Sequence, residues 1–429
     1  MTIRIDRRQF LVGSTTLMAA GAMGISPVLS QEARLRLLFW GGQARADRTY
    51  GVTDLYDKAN PGQVVEGEFL GWGDYWPKLA TQTAGGNAPD IIQMDYRYIV
   101  EYADRGAIAP LDDYVGDVLK LDDFDQDQLD GGKVNGKLYG ISLGANSVAM
   151  MVNKAAFERA GVELPGKMTT YDDLKAMAEK FNAKGEMKLI GDGSGSEPML
   201  ENWLRQKGKA LYTAEGKLAF DEADATEWFA MWADLRDAGV CVSAEDQALD
   251  TGPLETTMVT LGKAAMIPSN SNQLVAFQAI NQDEITITNF PRIATDAPGG
   301  HYRKPSMFFS VAGKSNDKES SAKFISFFVN DKDAATVLGV ERGIPCSASV
   351  RDALAPTLDD QSKIALNFVS NLGDLLAALP PSPPAAAGEI DSSLLRTISQ
   401  EVGFGARSPE DAGPALVSGA AEILARAAS

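Results

Sequence analysis

Short apolar runs stopped by glycine alternate with stretches of helical spacing, and this alternation constrains the fold of the 429-residue chain more than any other feature. Leu35-Arg36-Leu37-Leu38-Phe39-Trp40 reads as a strand ended by Gly41-Gly42. Val52, Leu55 and Tyr56 then fall at helical spacing until Asn60-Pro61-Gly62 breaks the run. Val64 to Leu70 reads as a second strand, Tyr75 to Ala84 as a second helix and Ile91 to Met94 as a third strand. Such alternation predicts an α/β fold of mainly parallel sheets flanked by helices. Ligands on such sheets bind beyond the carboxyl ends of the strands. That rule gathers Trp40, Gly42 and Gln43, then Gly71-Trp72-Gly73, then Asp95-Tyr96-Arg97 on one rim.

Later segments keep this character. Met168 to Phe181 predicts a helix, with Asp172 and Asp173 placed to match the positive end of its dipole. Ala223 to Ala238 predicts a second, rich in aromatics. Strands are expected at Ala264–Ile267, Ile285–Ile293 and Pro305–Val311, a helix at Ser320–Val329, and a stiff extended loop at Pro380–Pro384. No repeat at a solenoid period is present.

Residues 1–30 read as an export signal. Arg7-Arg8 stands directly before an apolar run that is free of charge from Leu11 to Leu29 and ends in small residues. Paired arginines make the signal the twin-arginine type, which places the mature chain in the periplasm. The run is also about long enough to span a bilayer, so a membrane anchor is the alternative, although Gly, Ser and Thr dilute its apolarity. The net charge is −18, and removing the basic signal leaves the rest near −20. That surface repels phosphate backbones and argues against a nucleic-acid partner. With 45% apolar and 23% charged residues the composition is that of a globular protein. The two cysteines, Cys241 and Cys346, are no disulfide framework, and whether they pair stays open.

A catalytic kit is hard to assemble. His301, the single histidine, sits in a Pro298-Gly299-Gly300-His301 turn and reads as a solvated turn residue rather than a general base. One histidine and two distant cysteines give no zinc or copper site. Asp122, Asp123, Asp125, Asp127 and Asp130 lack the glycine and glutamate of a calcium loop and read as a solvated acidic loop. Gly191-Asp192-Gly193-Ser194-Gly195 lacks the spacing of a nucleotide-binding loop and reads as a turn. Paired carboxylates for glycoside hydrolysis stay open among 58 acidic residues. No metal and no cofactor is expected.

Four stretches carry a resemblance. They are Tyr75 to Asp90; Asn135-Gly136-Lys137-Leu138-Tyr139-Gly140-Ile141 with Val152-Asn153-Lys154; Gly262 to Met266; and Glu341-Arg342-Gly343-Ile344-Pro345. In this order and spacing the chain, from Leu35 to its C-terminal helices, resembles the family 1 extracellular solute-binding proteins, the carbohydrate-binding receptors of bacterial ABC importers. The resemblance implies the two-lobed, type II periplasmic binding protein fold, a carbohydrate ligand in the cleft, hinge closure, delivery to the permease subunits of an ABC transporter in the inner membrane, and a monomer. It puts the crossings between lobes near Ser142–Asn146, Ile287–Pro291 and Gly343–Ser347. Residues 31–143 with 291–345 would form one lobe, and 146–288 with 348–429 the other.

A sugar site needs flat aromatics for C–H faces and convergent polar groups for hydroxyls. Trp40, Trp72, Tyr96 and Trp203 are the expected wall, with core packing the alternative for Trp40 and Trp72; Trp228 and Trp232, four apart on a helix, read as core. Gln43, Asp95, Asn146, Glu197, Asn270, Ser271 and Ser306 are the expected polar contacts, each with a capping or turn role as its alternative. Arg342 is either a hinge ion pair or a clamp for a ligand carboxylate or sulfonate. The segments around Trp40 and Arg342 are similar to those of oligogalacturonide receptors. The expected ligand is therefore an oligosaccharide or glycoside, with an acidic group such as a uronate as one option. An exported glycoside-active enzyme is the second reading and a non-transport interaction protein the third.

Overall fold

The computed structural model describes residues 33–185 and 187–428, so the export signal expected around Arg7-Arg8 lies outside the described residues. β1 (Ala33–Trp40), β2 (Gln63–Leu70) and β3 (Ile91–Met94) form where the apolar runs predict strands. β1 pairs in parallel with β2 and β3. Leu37, Leu38 and Phe39 are buried, as are Ile91 and Ile92, because helices or loops cover both faces of these strands. The helices Gln43–Ala59 and Trp72–Ala84 make the crossovers.

Downstream, β4 (Lys133–Val134) and β5 (Lys137–Leu138) form a small hairpin. β6 (Ile141–Ser142), β7 (Ala145–Asn146) and β8 (Val148–Asn153) follow in quick succession. β9 (Lys188–Ile190), β10 (Ala264–Asn270), β11 (Ile285–Thr288), β12 (Lys304–Pro305) and β13 (Phe308–Val311) complete the set used here. The first sheet has the order β2-β1-β3-β13-β6 and the second β11-β8-β10-β9. Each has its own core: one around Phe39, Phe308, Phe309 and Phe324, the other around Trp203, Trp228, Trp232 and Phe157.

The α/β architecture agrees with the sequence, but the expectation of mainly parallel sheets holds only for β2-β1-β3. In the second sheet β8 runs antiparallel to both β10 and β11, and only β10–β9 is parallel. The reason is the route of the chain. β8 enters the second sheet straight from the first, with no crossover helix to bring it round to the same direction.

The chain passes between the sheets three times. β7 pairs with β12, and Ala145 also bridges Ile344, so all three passages lie side by side. At Gly343 the backbone has φ +106°, and a Cβ there would stand 2.7 Å from the carbonyl oxygen of Ala145, so the contact needs glycine. The second passage is at Lys304–Pro305, later than the expected Ile287–Pro291. Residues from Asn289 to His301 stay with the second region. Phe290 joins its core, the Gln206 amide donates to Pro291 O at 3.0 Å, and Arg292 N donates to Thr169 O at 2.9 Å. The strand expected from Ile285 to Ile293 therefore stops at Thr288, and the one expected from Pro305 to Val311 splits into β12 and β13, which pair with different partners.

One further expectation changes, and one is extended. His301 is 2% exposed rather than solvated. Its Nε2 accepts from Phe290 N at 3.2 Å, and burial holds its pKa down to about 4. The acidic loop is fastened to the third passage: Asp123 accepts from the Ser347 hydroxyl at 2.8 Å, and Asp125 pairs with Arg351 at 2.8 Å. Both cysteines are buried and free, Cys241 in the second core and Cys346 in the first. Among the described residues no helix is long and apolar enough to cross a membrane.

Candidate functional site

The carboxyl ends of β1, β2 and β3 carry Trp40, Leu70-Gly71-Trp72 and Asp95-Tyr96-Arg97 to one rim of the first sheet. The helix Trp72–Ala84 starts there, so Trp72 and Trp76 are one turn apart on the same side. Trp40 lies edge-on to Trp72 at 5.2 Å between ring centroids, Trp72 edge-on to Trp76 at 5.3 Å, and Tyr98 packs on Trp76 at 4.0 Å. Edge-to-face packing of this kind locks each ring against its neighbour. Trp40 is buried beneath the cluster, while Trp72 is 41% exposed at its rim. The result is a rigid aromatic wall with one free tryptophan face. Trp76 and Tyr98 are not among the residues expected from the sequence. Their signal was there, since Trp76 is four residues beyond Trp72 and Tyr98 two beyond Tyr96.

On the second sheet the carboxyl ends of β9 and β10 open into a cavity of 360 Å³. Its floor is Gly191, Asp192 and Ile267 to Asn270, and Arg396, Ser399 and Gln400 stand on one side. Gln247 accepts from Asp192 N at 2.9 Å, and Arg236 pairs with the Asp192 carboxylate at 2.5 Å, which fixes both groups. Arg396 donates to the carbonyl of Asp250. Asn270 lines the cavity at the start of the short helical turn Ser271–Gln273. The Gly191–Gly195 stretch is indeed a turn, and it forms part of this floor.

The two regions touch beside the cavity. Arg97 reaches across to Asp391 at 2.8 Å and to Glu197 at 3.5 Å. Tyr96 donates from its hydroxyl to Pro380 O at 3.0 Å, at the start of the extended proline loop. A smaller space of 40 Å³ lies here, lined by Asp95, Tyr96, Arg97, Glu197, Glu201 and Lys304 among others. Burial pushes Glu197 up to about 8, against the pull of Arg97. Asp95 accepts from Arg97 N at 2.9 Å and so caps its own loop.

The structure separates the expected residues into three groups. Trp40, Trp72, Asp95, Tyr96, Glu197 and Asn270 lie on the walls just described. Gly42 and Gln43 start the helix after β1 beside them, Gln43 donating to Asp47 at 2.7 Å. Asn146, Ser271 and Ser306 are buried at the passages between the sheets. The Asn146 amide donates to Asn272 Oδ1 at 2.7 Å, Ser271 accepts from Ser147 N at 3.2 Å, and Ser306 donates to the carbonyl of Arg342.

The remaining two are corrections. Trp203 is 2% exposed and packs against Trp228 at 5.7 Å, because its helix turns that face into the second core. Arg342 is 2% exposed inside the first region. Its guanidinium lies over the rings of Phe39, Phe309 and Phe328, donates to Thr49 at 2.7 Å and stands 3.6 Å from Glu341. Burial, then repulsion from Arg45, lowers its pKa to about 9. A guanidinium so buried faces the interior of the first region and not the open cleft, with its Nε and Nη1 lacking hydrogen-bond partners in the protein.

Among the described residues no group of histidine, cysteine and carboxylate side chains could hold a metal ion. What the geometry offers is a stacking face and fixed hydrogen-bonding groups around an open space, which suits binding of a polar molecule with apolar faces.

A family model described as bacterial extracellular solute-binding protein matches residues 52–365. A carbohydrate ABC transporter substrate-binding protein of Streptococcus pneumoniae is 31% identical over 151 residues, 32% of this chain and 30% of that protein. Binding proteins of Brucella abortus are 32% identical over 134 residues, 31% of this chain and 32% of their own. The chain thus spans about a third of the length of the curated relatives it matches. Among solved structures, a periplasmic oligogalacturonide-binding protein of Yersinia enterocolitica, in complex with saturated digalacturonic acid, superposes with a TM-score of 0.83 at 24% identity, covering 93% of this chain and all of that one. A family 1 extracellular solute-binding protein of Alicyclobacillus acidocaldarius gives 0.68 at 29% identity, covering 91% and 98%. These likenesses identify the fold as the two-lobed one of periplasmic solute-binding proteins, the two sheets being the two lobes.

Proposed function

The chain belongs to the bacterial extracellular solute-binding proteins, and we propose that it captures an oligosaccharide or glycoside in the periplasm and delivers it to an ABC permease. The observation that carries this reading is the pairing of walls. The Trp40–Trp72–Trp76–Tyr98 cluster on the first lobe offers a flat apolar face, and the cavity on the second lobe offers Asn270 and Arg396. A pyranose has the same division, with C–H faces above and below a belt of hydroxyls. Sugar proteins among the relatives and solved structures support the class of ligand. Arg342 gives no support to an acidic substituent, so the ligand's charge is left to the titration below.

The mechanism is closure of the lobes. Contacts to both walls at once exist only in the closed form, so ligand shifts the population toward it. The twin-arginine signal supplies the route to the periplasm, and the receptor acts as a monomer without catalysis. Calorimetric titration of the mature protein against neutral and acidic saccharides tests this. Saturable binding of at least one, weakened in Trp72→Ala, is expected. Release of shorter sugars from the titrant would instead make the protein the glycoside-active enzyme, and no binding across the panel would remove carbohydrate as its ligand.

A further inference from the structure

Resting on the carbohydrate-receptor reading, we infer that the ligand is a short glycoside of one or two sugar rings, and that the Arg97 bridge to Glu197 and Asp391 is the stop that sets this length. The cleft is divided unequally. Gly195, Ser196 and Pro198 line the 360 Å³ cavity, whereas Glu197, between them in sequence, lines the 40 Å³ space. Likewise Arg396 stands in the large cavity while Asp391, a little more than one turn earlier, holds Arg97. The bridge therefore sits at the boundary between the two spaces.

On the far side of that boundary the lobes are in contact. Tyr98 packs so closely on Gly388 that a Cβ there would be 2.5 Å from the ring, and Tyr96 is bonded to Pro380. A space of 40 Å³ has room for only about three water molecules, at roughly 10–15 Å³ each. It holds no sugar ring. The large cavity lies near the small end of the roughly 300–1,000 Å³ typical of small-molecule sites. A longer saccharide running this way would have to part Arg97 from Asp391, 18% exposed, and from Glu197, 13% exposed, leaving the guanidinium without its partners.

The bridge is also unfinished on its own. One Glu197 oxygen and the Arg97 Nε are buried without protein partners. Both residues line the 40 Å³ space and not the large cavity, so these atoms face the closed side of the stop. A through-going cleft for long chains would not show this block.

The test is a length series: methyl glycosides, disaccharides and hexasaccharides of the same sugars and linkages, titrated into the mature protein. Affinity is expected to peak at one or two rings and to fall by about tenfold or more at six. In Arg97→Ala the hexasaccharide should come within a few fold of the disaccharide. A wild-type protein that binds hexasaccharides as tightly as disaccharides overturns the inference, even if the variant does not fold. Failure of every saccharide of every length to bind would instead overturn the carbohydrate reading beneath it.

Discussion

The chain has six tryptophans, and they divide evenly between the lobes. In the first lobe Trp40, Trp72 and Trp76 gather at the rim of the sheet. In the second, Trp203, Trp228 and Trp232 stack in the core and are all nearly or wholly buried. Both trios are linked edge-on at similar distances, and both contain a pair four residues apart on a helix. Spacing on a helix thus does not tell a wall from a core. Trp72 and Trp76 differ because their helix begins at the carboxyl end of β2, where the sheet stops and the cleft begins. Trp228 and Trp232 lie mid-helix, under the helix Pro409–Ala428.

This contrast can be broken by measurement. Trp228→Ala should cost about 3–5 kcal/mol of stability, read by urea denaturation, with affinity unchanged in whatever fraction still folds. Arg342→Ala should cost about 3 kcal/mol and leave saccharide affinity within twofold. A large loss of affinity at native stability would restore the clamp in place of the hinge cation. For His301 the sign follows from its lowered pKa. The unfolded chain takes up the proton near 6.5, but the folded one only near 4. Stability is therefore full above about pH 6.5 and falls progressively toward pH 4, by about 3 kcal/mol in all. His301→Asn should flatten that part of a pH–denaturation profile. The smallest effect sharpens the contrast most: Trp72→Ala should weaken ligand binding by about 2 kcal/mol, roughly thirtyfold, while shifting the urea midpoint little. If Trp72→Ala proved the destabilising change and Trp228→Ala the binding one, the division into wall and core would be reversed.

What could be read from the sequence was mostly what local rules decide. β1 and β2 are short apolar runs with glycine stops, β3 is a four-residue, mostly apolar run after Pro89-Asp90, and the helix from Tyr171 to Lys184 opens with the Thr170–Asp173 capping box. The rim assignments of Trp72, Asp95 and Tyr96 followed from strand polarity alone. The failures are non-local. Nothing near Arg342 announces that Phe39, Phe309 and Phe328 will close over it. The alternation of Ile285 to Ile293 does not say that Phe290 and Ile293 pack without a pairing strand. His301 looked like a turn residue, because Pro298-Gly299-Gly300 makes a turn; the rings of Phe290 and Phe368 that flank it come from elsewhere in the chain. Arg97 was passed over because its importance lies in Glu197 and Asp391, far along the sequence.

The helix Pro409–Ala428 lies along Glu222–Asp237, with Ala412, Leu416 and Ala420 set into the same core as Trp228. The second lobe is thus bolted shut by residues made some two hundred positions after the surface they cover. A nascent chain has no finished second core until those residues have left the ribosome, and long-range closure of this kind is slow. Completion of the second core therefore waits on residues 409–428, whatever the rest of the lobe has already formed.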